Sequence, residues 1–358
     1  MRRLWRSVLD GLIPYDAGLP LEALARELGR SDLTRLSANE NPLGPSPRAV
    51  AAVEREAARI HLYPDGGSSA LREALGRSHG VAPSQIVVGN GADELIALIA
   101  TAAFEPGDEV VVPWPSFEPY EISARLAGAR VVASPLVGYN TDLDDVLRRV
   151  TDRTKAVMLC SPHNPATTII RRGPLLALLD ALGSDSPLVV LDQAYIDFCD
   201  DSDHPDGIRL LERYPRLVVL RTFSKIAGLA GLRVGYAVAS AETIDRFNRV
   251  RAPYNVNRLG QVAALAALED HAHAEKTRQL VLEERAYLSA ELTKRGYAFP
   301  PSHANFLLVA VPDAPGLRTR LMRSGILVRD GAGVGFPGHL RFSVGLRQTN
   351  EQLLSLLL

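Results

Sequence analysis

The feature that most constrains this chain is a series of short apolar segments that alternate with stretches of helical periodicity. The apolar segments are rich in Val, Leu and Ile, and turn-forming or polar residues follow most of them. Parallel strands need long crossover connections, usually helices, and the intervening stretches have suitable lengths. The pattern predicts an α/β domain with a mostly parallel sheet flanked by helices. The predicted strands are Ile86–Val88, the segment PGDEVVVP at 106–113, Ala129–Ala133, Ala156–Cys160, Leu188–Leu191, Leu217–Leu220 and Tyr236–Ala239.

The sequence changes character after Val256, where longer helical segments replace the alternating pattern. The residues before position 40 are helical but too few for a domain, so we expect them to pack on the C-terminal part. We therefore predict a large domain at residues 40–255 and a smaller α+β domain built from residues 1–39 and 256–358. Its predicted elements are helices at Leu259–Leu268 and His273–Arg295, strands at Phe306–Ala310 and Leu340–Val344, and a last helix from Asn350.

The composition argues against several classes of protein. The 358 residues carry 40 basic and 41 acidic side chains, so no charge excess indicates a nucleic-acid or membrane-surface partner. No apolar run approaches the roughly 20 residues that span a bilayer, and the N-terminal segment is a poor secretory signal. Cys160 and Cys199 lack the spacing of metal ligands. We expect a cytoplasmic protein without a metal site.

Polar residues follow five of the predicted strands. Ligands of open α/β sheets bind beyond the carboxyl ends of the strands, so these segments are the place to look for a site. The segments are GNGADE at 89–94, PWPSFEPY at 113–120, SPHNP at 161–165, DQAY at 192–195 and RTFSK at 221–225.

Lys225 is the candidate nucleophile. Arg221 and Arg233 flank it in sequence, and Phe223 contributes to an apolar setting. Desolvation and neighbouring cations lower the pKa of a lysine, which can then form a Schiff base with an aldehyde. Most lysines are solvated surface residues, and this ordinary interpretation suits the other three lysines: Lys155, Lys276 and Lys294.

Asp192 ends the apolar run LVVLD and is the candidate carboxylate of the site. Pyridoxal phosphate needs such a carboxylate to keep its ring nitrogen protonated. Asn164 and Tyr195 could each donate a hydrogen bond to the phenolic oxygen of the ring, and Phe117 could stack on it. Each residue also has a structural interpretation: a helix or turn cap for Asp192, a turn for Asn164 and simple core packing for Phe117.

The segment GNGADE predicts a phosphate site at the start of a helix, where backbone N–H groups attract anions. Ala92 and Asp93 are the expected backbone donors, and Ser224 and Arg233 would add a hydroxyl and a guanidinium. The glycines could equally shape a turn, since the segment lacks the GxGxxG form that nicotinamide dehydrogenases carry.

Taken together, these segments resemble the fold type I pyridoxal-phosphate aminotransferases, and within them the histidinol-phosphate aminotransferases. The resemblance covers nearly the whole chain and implies the aspartate-aminotransferase-like fold. The SK…GLAGLR pattern is its most specific part. The matching segments are LSANENPLGPSP at 36–47, YPDG at 63–66, GNGADELI, the DQAY block, RTFSKIAGLAGLRVGY at 221–236, PYNVN at 253–257, ANF at 304–306 and LRFSVG at 340–345.

The resemblance also implies roles for individual residues. Lys225 matches the lysine that bonds covalently to pyridoxal phosphate, and Tyr63 matches a tyrosine that reaches the cofactor phosphate of the neighbouring subunit, which implies a homodimer. Arg341 and Arg329 match arginines on the substrate side, and Tyr15 matches an N-terminal tyrosine that lines it. The matching cofactor ligands are Asp192, Tyr195, Asn164, Ser224 and Arg233.

Two positions depart from the family pattern. The chain has Asn164-Pro165-Ala166-Thr167 where the family usually has NPTG, and Gln193 stands where the family usually has glutamate. The cofactor contacts survive both changes. The lost glycine is expected to alter the loop after Pro165, and with it the substrate specificity.

The resemblance implies transamination between an amino donor and a 2-oxo acid, with histidinol phosphate and 2-oxoglutarate or glutamate as the first candidates. Lys225 would move the proton between substrate and cofactor as general base and acid. Asp192 and Tyr195 complete the predicted catalytic set. An aromatic or natural-product aminotransferase, a threonine-phosphate decarboxylase, a dehydrogenase and a non-catalytic binding module remain alternatives.

Overall fold

A large sheet and a smaller antiparallel sheet organise the protein. The computed structural model describes residues 4–13 and 20–357. The strands within these residues are β1 (Thr34–Arg35), β2 (Ile86–Gly89), β3 (Glu109–Trp114), β4 (Arg130–Pro135), β5 (Thr154–Cys160), β6 (Leu188–Asp192), β7 (Leu217–Thr222), β8 (Gly235–Val238), β9 (Phe306–Ala310), β10 (Ile326–Leu327), β11 (Arg329–Asp330) and β12 (His339–Ser343).

Helices cover both faces of the large sheet and one face of the small sheet. The α-helices within the described residues are α1 (Leu21–Leu28), α2 (Pro47–Glu56), α3 (Ser69–His79), α4 (Gly91–Ala103), α5 (Pro119–Ala127), α6 (Leu143–Arg148), α7 (Arg172–Leu182), α8 (Ala241–Val250), α9 (Arg258–Leu268), α10 (His271–Lys294), α11 (Ala314–Arg323) and α12 (Arg347–Leu356). Short 3₁₀ helices lie at Ser7–Gly11, Ala57–Arg59, Pro83–Gln85, Ile196–Phe198, Gly207–Leu210, Ala230–Leu232 and Ala332–Val334. No described helix is long and apolar enough to cross a membrane.

The large sheet has seven strands in the order β2-β8-β7-β6-β5-β3-β4. All neighbouring strands pair in parallel except β8, which is antiparallel to both β2 and β7. The strands β2, β3, β5, β6 and β7 therefore end at one edge of the sheet, which confirms the predicted mostly parallel α/β fold. The sequence pattern did not reveal that β8 separates β2 from β7.

The large sheet lies between two helical layers. One apolar cluster joins its strands to α3, α6, α7 and α9, and the other joins them to α4, α5 and α8. Since both faces are buried, the strands carry nearly continuous Val, Leu and Ile instead of alternating polar residues. This burial explains why the inner strands were recognisable as short apolar runs; the edge strand β4 is mostly exposed or half-buried.

The small sheet has the order β11-β12-β9 and is antiparallel. A third apolar cluster joins it to α10, α11 and α12. β1, which the sequence pattern did not predict, pairs with β10 and connects the N-terminal segment to this C-terminal part, as expected. The 3₁₀ helix at Ser7–Gly11 instead contacts α5, because the Arg125 guanidinium donates a hydrogen bond to the Gly11 carbonyl.

Helix α9 lies outside the range predicted for the large domain, but it packs on the large sheet. Its residues Ala263, Ala264 and Ala267 belong to the same apolar cluster as that sheet, and α2 is its main neighbour. Small side chains on α9 allow this close packing against α2. The predicted boundaries at residues 39 and 255 remain a prediction, since chain position alone does not define independently folding units.

Candidate active site

A cavity of about 320 Å³ lies where the parallel strands of the large sheet end. It also reaches the small sheet and the segment between β1 and α2. Its volume is within the usual range of small-molecule sites. Eleven of the thirteen residues predicted for the site line this cavity: Ala92, Asp93, Phe117, Asn164, Asp192, Tyr195, Ser224, Lys225, Arg233, Arg329 and Arg341.

Asp192 lies at the bottom of the cavity, at the end of the central strand β6. It is buried, and burial raises the pKa of its carboxyl group to about 6. The Tyr120 hydroxyl donates a hydrogen bond of 2.7 Å to Oδ2, and the Ala194 N–H donates one of 3.0 Å to Oδ1. Both donors are uncharged groups, so a bound cationic ring nitrogen would bring a positive charge to this carboxylate.

Lys225 lies just after β7, the strand that neighbours β6. Its Nζ donates a hydrogen bond of 3.2 Å to the Ala38 carbonyl. Burial lowers the pKa of its amine to about 8, and Arg341 contributes in the same direction. A lower pKa increases the neutral fraction that can act as nucleophile or base near neutral pH. The setting therefore suits Schiff-base chemistry.

Tyr195 and Asn164 form one wall of the cavity. The Tyr195 ring packs edge-on against Phe306, with centroids 5.1 Å apart, and its hydroxyl accepts a hydrogen bond of 3.1 Å from Asn39 Nδ2. Asn164 Oδ1 accepts a bond of 2.7 Å from Arg341, which leaves the Asn164 amide N–H groups as donors. Both side chains can therefore donate to an oxygen bound between them.

The predicted phosphate site is at the N-terminus of α4. The first N–H groups of a helix have no acceptor within the helix, so those of Ala92 and Asp93 are available to an anion. Gly91 has φ +82°, and a Cβ atom there would lie 2.5 Å from Arg233 Nη2, so a glycine is required for the guanidinium to approach. Arg233 also pairs with Asp93 at 2.9 Å. Ser224 lines the cavity nearby.

Arg329 and Arg341 come from neighbouring strands of the small sheet. They lie directly opposite each other in the β11–β12 pair, so both side chains are on the same face. Arg341 is 8% exposed and donates a second hydrogen bond, of 2.8 Å, to the Ser37 carbonyl. Like charges at opposed positions repel each other, and a bound anion would relieve this repulsion.

The other two predicted residues are Tyr63 and Tyr15. Tyr63 is 78% exposed and stacks on Tyr254, with ring centroids 4.7 Å apart. Tyr15 lies outside the described residues. Within residues 4–13 and 20–357, no group of three side chains could hold a metal ion.

The two departures from the family pattern lie close to the cavity. Thr167 has φ +67°, a left-handed conformation that suits glycine and is rare for a β-branched residue. Its Oγ1 donates to the Pro301 carbonyl at 3.1 Å, and its N–H donates to the His163 carbonyl at 2.8 Å. These bonds hold the loop in place without glycine.

Gln193 is fully buried beneath the site and uses both ends of its amide. Its Nε2 donates to the Pro205 carbonyl at 2.7 Å, and its Oε1 accepts from the Gly207 N–H and from Arg221, each at 3.1 Å. A glutamate could not donate to Pro205. The local backbone therefore favours glutamine, and Arg221 pairs with Asp206 instead.

Several lining residues had no predicted role. Tyr120 is the partner of Asp192, and its place at the end of PWPSFEPY, in the first turn of α5, was the available signal. Arg35 reaches the cavity from the end of β1, and Asn39 and Glu40 reach it from the segment after β1. The pairing of β1 with β10 and hydrogen bonds to Ser343 and Asn305 bring this segment to the site.

The donor set fits pyridoxal phosphate. The buried carboxylate matches its ring nitrogen, and the lysine amine matches its aldehyde. The two hydrogen-bond donors match its phenolic oxygen, and the helix N-terminus with its guanidinium matches its phosphate. An arrangement of this kind supports Schiff-base chemistry on an amine whose far end is anionic.

Comparison with known proteins gives the same result. Residues 31–357 match the family model described as aminotransferase class I and II. The chain is 44% identical to the histidinol-phosphate aminotransferase of Anaeromyxobacter sp. (strain Fw109-5), over 97% of this chain and 96% of the relative. It is 41% identical to that of Moorella thermoacetica, over 97% and 90%.

Solved structures are similar along nearly the whole chain. The histidinol-phosphate aminotransferase of Sinorhizobium meliloti, in complex with pyridoxal-5'-phosphate, has a TM-score of 0.90 and 28% identity, covering 98% of this chain and 96% of that one. An aspartate aminotransferase of Thermus thermophilus with maleate has a TM-score of 0.84 and 26% identity, covering 99% and 98%. The chain therefore belongs to the class I and II aminotransferase family, whose members use pyridoxal phosphate.

Proposed function

We propose that this pyridoxal-phosphate-dependent aminotransferase transfers the amino group of histidinol phosphate to 2-oxoglutarate. The observation that carries the proposal is the placement of Arg329 and Arg341, on one face of the small sheet, in the same cavity as Lys225 and Asp192. Curated relatives at 37–44% identity bear the name histidinol-phosphate aminotransferase. The cytoplasmic location remains a prediction.

The cavity residues that follow the strands of the large sheet provide the chemistry in this proposal. The cofactor, when bound, provides an aldehyde for the amine and an electron sink for the carbanion. Asp192 holds the ring nitrogen in its protonated form, and Lys225, once freed by the incoming amine, moves a proton as general base and acid. Tyr195 and Asn164 would donate hydrogen bonds to the phenolic oxygen, and Phe117 would stack on the ring.

Arg341 and Arg329 recognise the anionic end of the substrate. A guanidinium binds a phosphate or a carboxylate in a bidentate manner, so the same pair can serve the phosphate of the donor and a carboxylate of the acceptor in successive half-reactions. Arg341 is already oriented by Asn164 and Ser37, whereas Arg329 lies closer to solvent. Tyr15 remains a proposed member of this substrate side.

The enzyme is proposed to act as a homodimer in which Tyr63 completes the phosphate site of the neighbouring copy. Tyr63 is away from the cavity of its own chain, and Ile60, Leu62 and Tyr254 form an exposed apolar surface around it. Tyr63→Phe would remove one hydroxyl from the phosphate site and weaken cofactor binding without changing the mass of the particle. A monomer in analytical ultracentrifugation would contradict the dimer.

The proposed function is tested by a half-reaction. The purified protein is loaded with pyridoxal phosphate, and histidinol phosphate is added without any 2-oxo acid. We expect the visible band of the lysine-bound cofactor to disappear as the amine form accumulates, and 2-oxoglutarate to restore the band. Lys225→Ala is the control that should give neither change.

The other outcomes separate the alternatives. A band that responds to phenylalanine or tyrosine but not to histidinol phosphate would identify an aromatic aminotransferase. Release of carbon dioxide from threonine phosphate would identify the decarboxylase. A stable band that no amine changes would indicate a binding module.

A further inference from the structure

Asn39 is a buried member of the cavity wall whose side chain faces Tyr195. It is 2% exposed, and its Nδ2 lies 3.1 Å from the Tyr195 hydroxyl oxygen. It lies in the matching segment LSANENPLGPSP, but no role was predicted for it, and the proposed roles above do not include it. It comes from the segment after β1, a part of the chain distant in sequence from the strand ends.

The backbone of Asn39 is fixed from both sides. Its N–H donates to Ser343 Oγ at 2.9 Å, and its carbonyl accepts from Asn305 Nδ2 at 3.1 Å. Its φ of +56° is left-handed, a conformation that asparagine tolerates better than most other residues. The side chain is therefore held against Tyr195 by the small-sheet elements.

The chemistry of the two groups sets the direction of the hydrogen bond. An amide Nδ2 can only donate, whereas a phenol has one O–H donor and two acceptor lone pairs. Within the described residues, the Tyr195 hydroxyl accepts this bond and donates none. Its own proton is therefore left for an acceptor inside the cavity.

We propose that Asn39 is a positioning residue that keeps Tyr195 as a hydrogen-bond donor to the phenolic oxygen of pyridoxal phosphate. The inference rests on the proposed cofactor site but not on the identity of the amino donor. A donor at this oxygen stabilises its deprotonated form. Removing the hydrogen bond between Asn39 and Tyr195, or reversing its direction, should therefore raise the pKa at which the lysine-bound cofactor loses its proton.

The test is a pH titration of the visible band of the cofactor-loaded protein. Asn39→Asp has the same shape but accepts the Tyr195 proton, and we expect the titration midpoint to rise by about one unit, as for Tyr195→Phe. Asn39→Gly removes the side chain while keeping the left-handed backbone, and it should shift the midpoint in the same direction by less. It also serves if the aspartate variant does not fold.

A double variant separates this role from a purely structural one. In the Tyr195→Phe background, Asn39→Asp should add a smaller shift than it does in the wild type, because the phenol that it acts through is missing. Wild-type midpoints in both Asn39 variants, or no shift in Tyr195→Phe itself, would overturn the inference. A wild-type protein that binds no pyridoxal phosphate would instead contradict the proposed function.

Discussion

The floor and the rim of the cavity differ in burial and in origin. The floor consists of Asp192 and Tyr120, which are 3% and 1% exposed, together with Lys225. The rim consists of Arg35 and Glu40, whose side chains are 37% and 34% exposed and pair with each other. Burial shifts the pKa values of Asp192 and Lys225, whereas water screens the rim pair. The comparison indicates that the reaction depends on the residues of the floor, and that the ion pair of the rim contributes little free energy to substrate binding or catalysis.

The largest expected effect is that of Lys225→Ala. This substitution removes both the covalent attachment of the cofactor and the proton-transfer group, so turnover should fall by at least about 10⁴-fold. Steady-state assays would measure the loss, and circular dichroism would check folding. Lys155→Ala, at an exposed position of β5, is the matched control and should retain activity. Substantial transamination by the Lys225→Ala variant would mean that another group performs the chemistry.

Asp192→Asn should reduce kcat by about 10²–10³-fold, because an amide cannot hold the ring nitrogen protonated. Its effect on stability has the opposite sign. Burial raises the pKa of Asp192 from 3.8 to about 6, so its stabilising contribution to the cofactor-free protein is present below pH 3.8 and lost as the pH rises through 6.

Unfolding of the cofactor-free proteins by urea across this pH range measures that contribution. At pH 7 the Asp192→Asn variant should be more stable than the wild type, and the difference should decrease towards pH 4. A difference that does not change with pH would show that Asp192 does not titrate as its burial implies.

Arg341 connects the floor with the rim, and its replacement should have an intermediate effect. Arg341→Lys keeps the charge but loses the two-pronged contact with Asn164 and Ser37, so kcat/KM for the amino donor should fall by about 10–100-fold. Arg329→Lys, at the opposed but less buried position, should cost less. Equal losses in the two variants would show that the difference in burial between Arg341 and the half-buried Arg329 does not matter for binding the donor.

The smallest effect is expected at the rim. Arg35→Gln breaks the exposed pair with Glu40, and exposed pairs contribute at most about 1 kcal/mol, so kcat/KM should change by less than about fivefold. Glu40→Gln is the matched variant. A much larger loss in either one, measured at physiological salt, would show that the pair contacts the substrate directly.

Local patterns made the floor predictable from sequence. Asp192 and Lys225 each follow a buried apolar strand, and parallel strands bring their carboxyl ends to one edge whatever the intervening sequence. The predicted strands agree with the observed ones to within a few residues. Tyr120 was in a recognised segment, but its hydrogen bond to Asp192 depends on how α5 packs.

The rim was not predictable in the same way. Arg35 and Glu40, and the buried Asn39 between them in sequence, reach the cavity because two-residue strands, β1 and β10, pair across nearly 300 positions of sequence. Such short strands have no recognisable period. The strand at β8 was predicted, but its antiparallel position between β2 and β7 was not, and neither was the packing of α9 on the large sheet, because both depend on tertiary contacts.

By itself, the sequence determined the α/β class, the ends of the strands that carry chemistry and the family, because these depend on hydrophobic pattern and contiguous motifs. The tertiary structure decided the rest. It set the depth at which each charge lies, and therefore the pKa values of Asp192 and Lys225. It also placed Arg329 opposite Arg341 and Asn39 against Tyr195, since those contacts depend on strand register and long-range pairing, which no local pattern specifies.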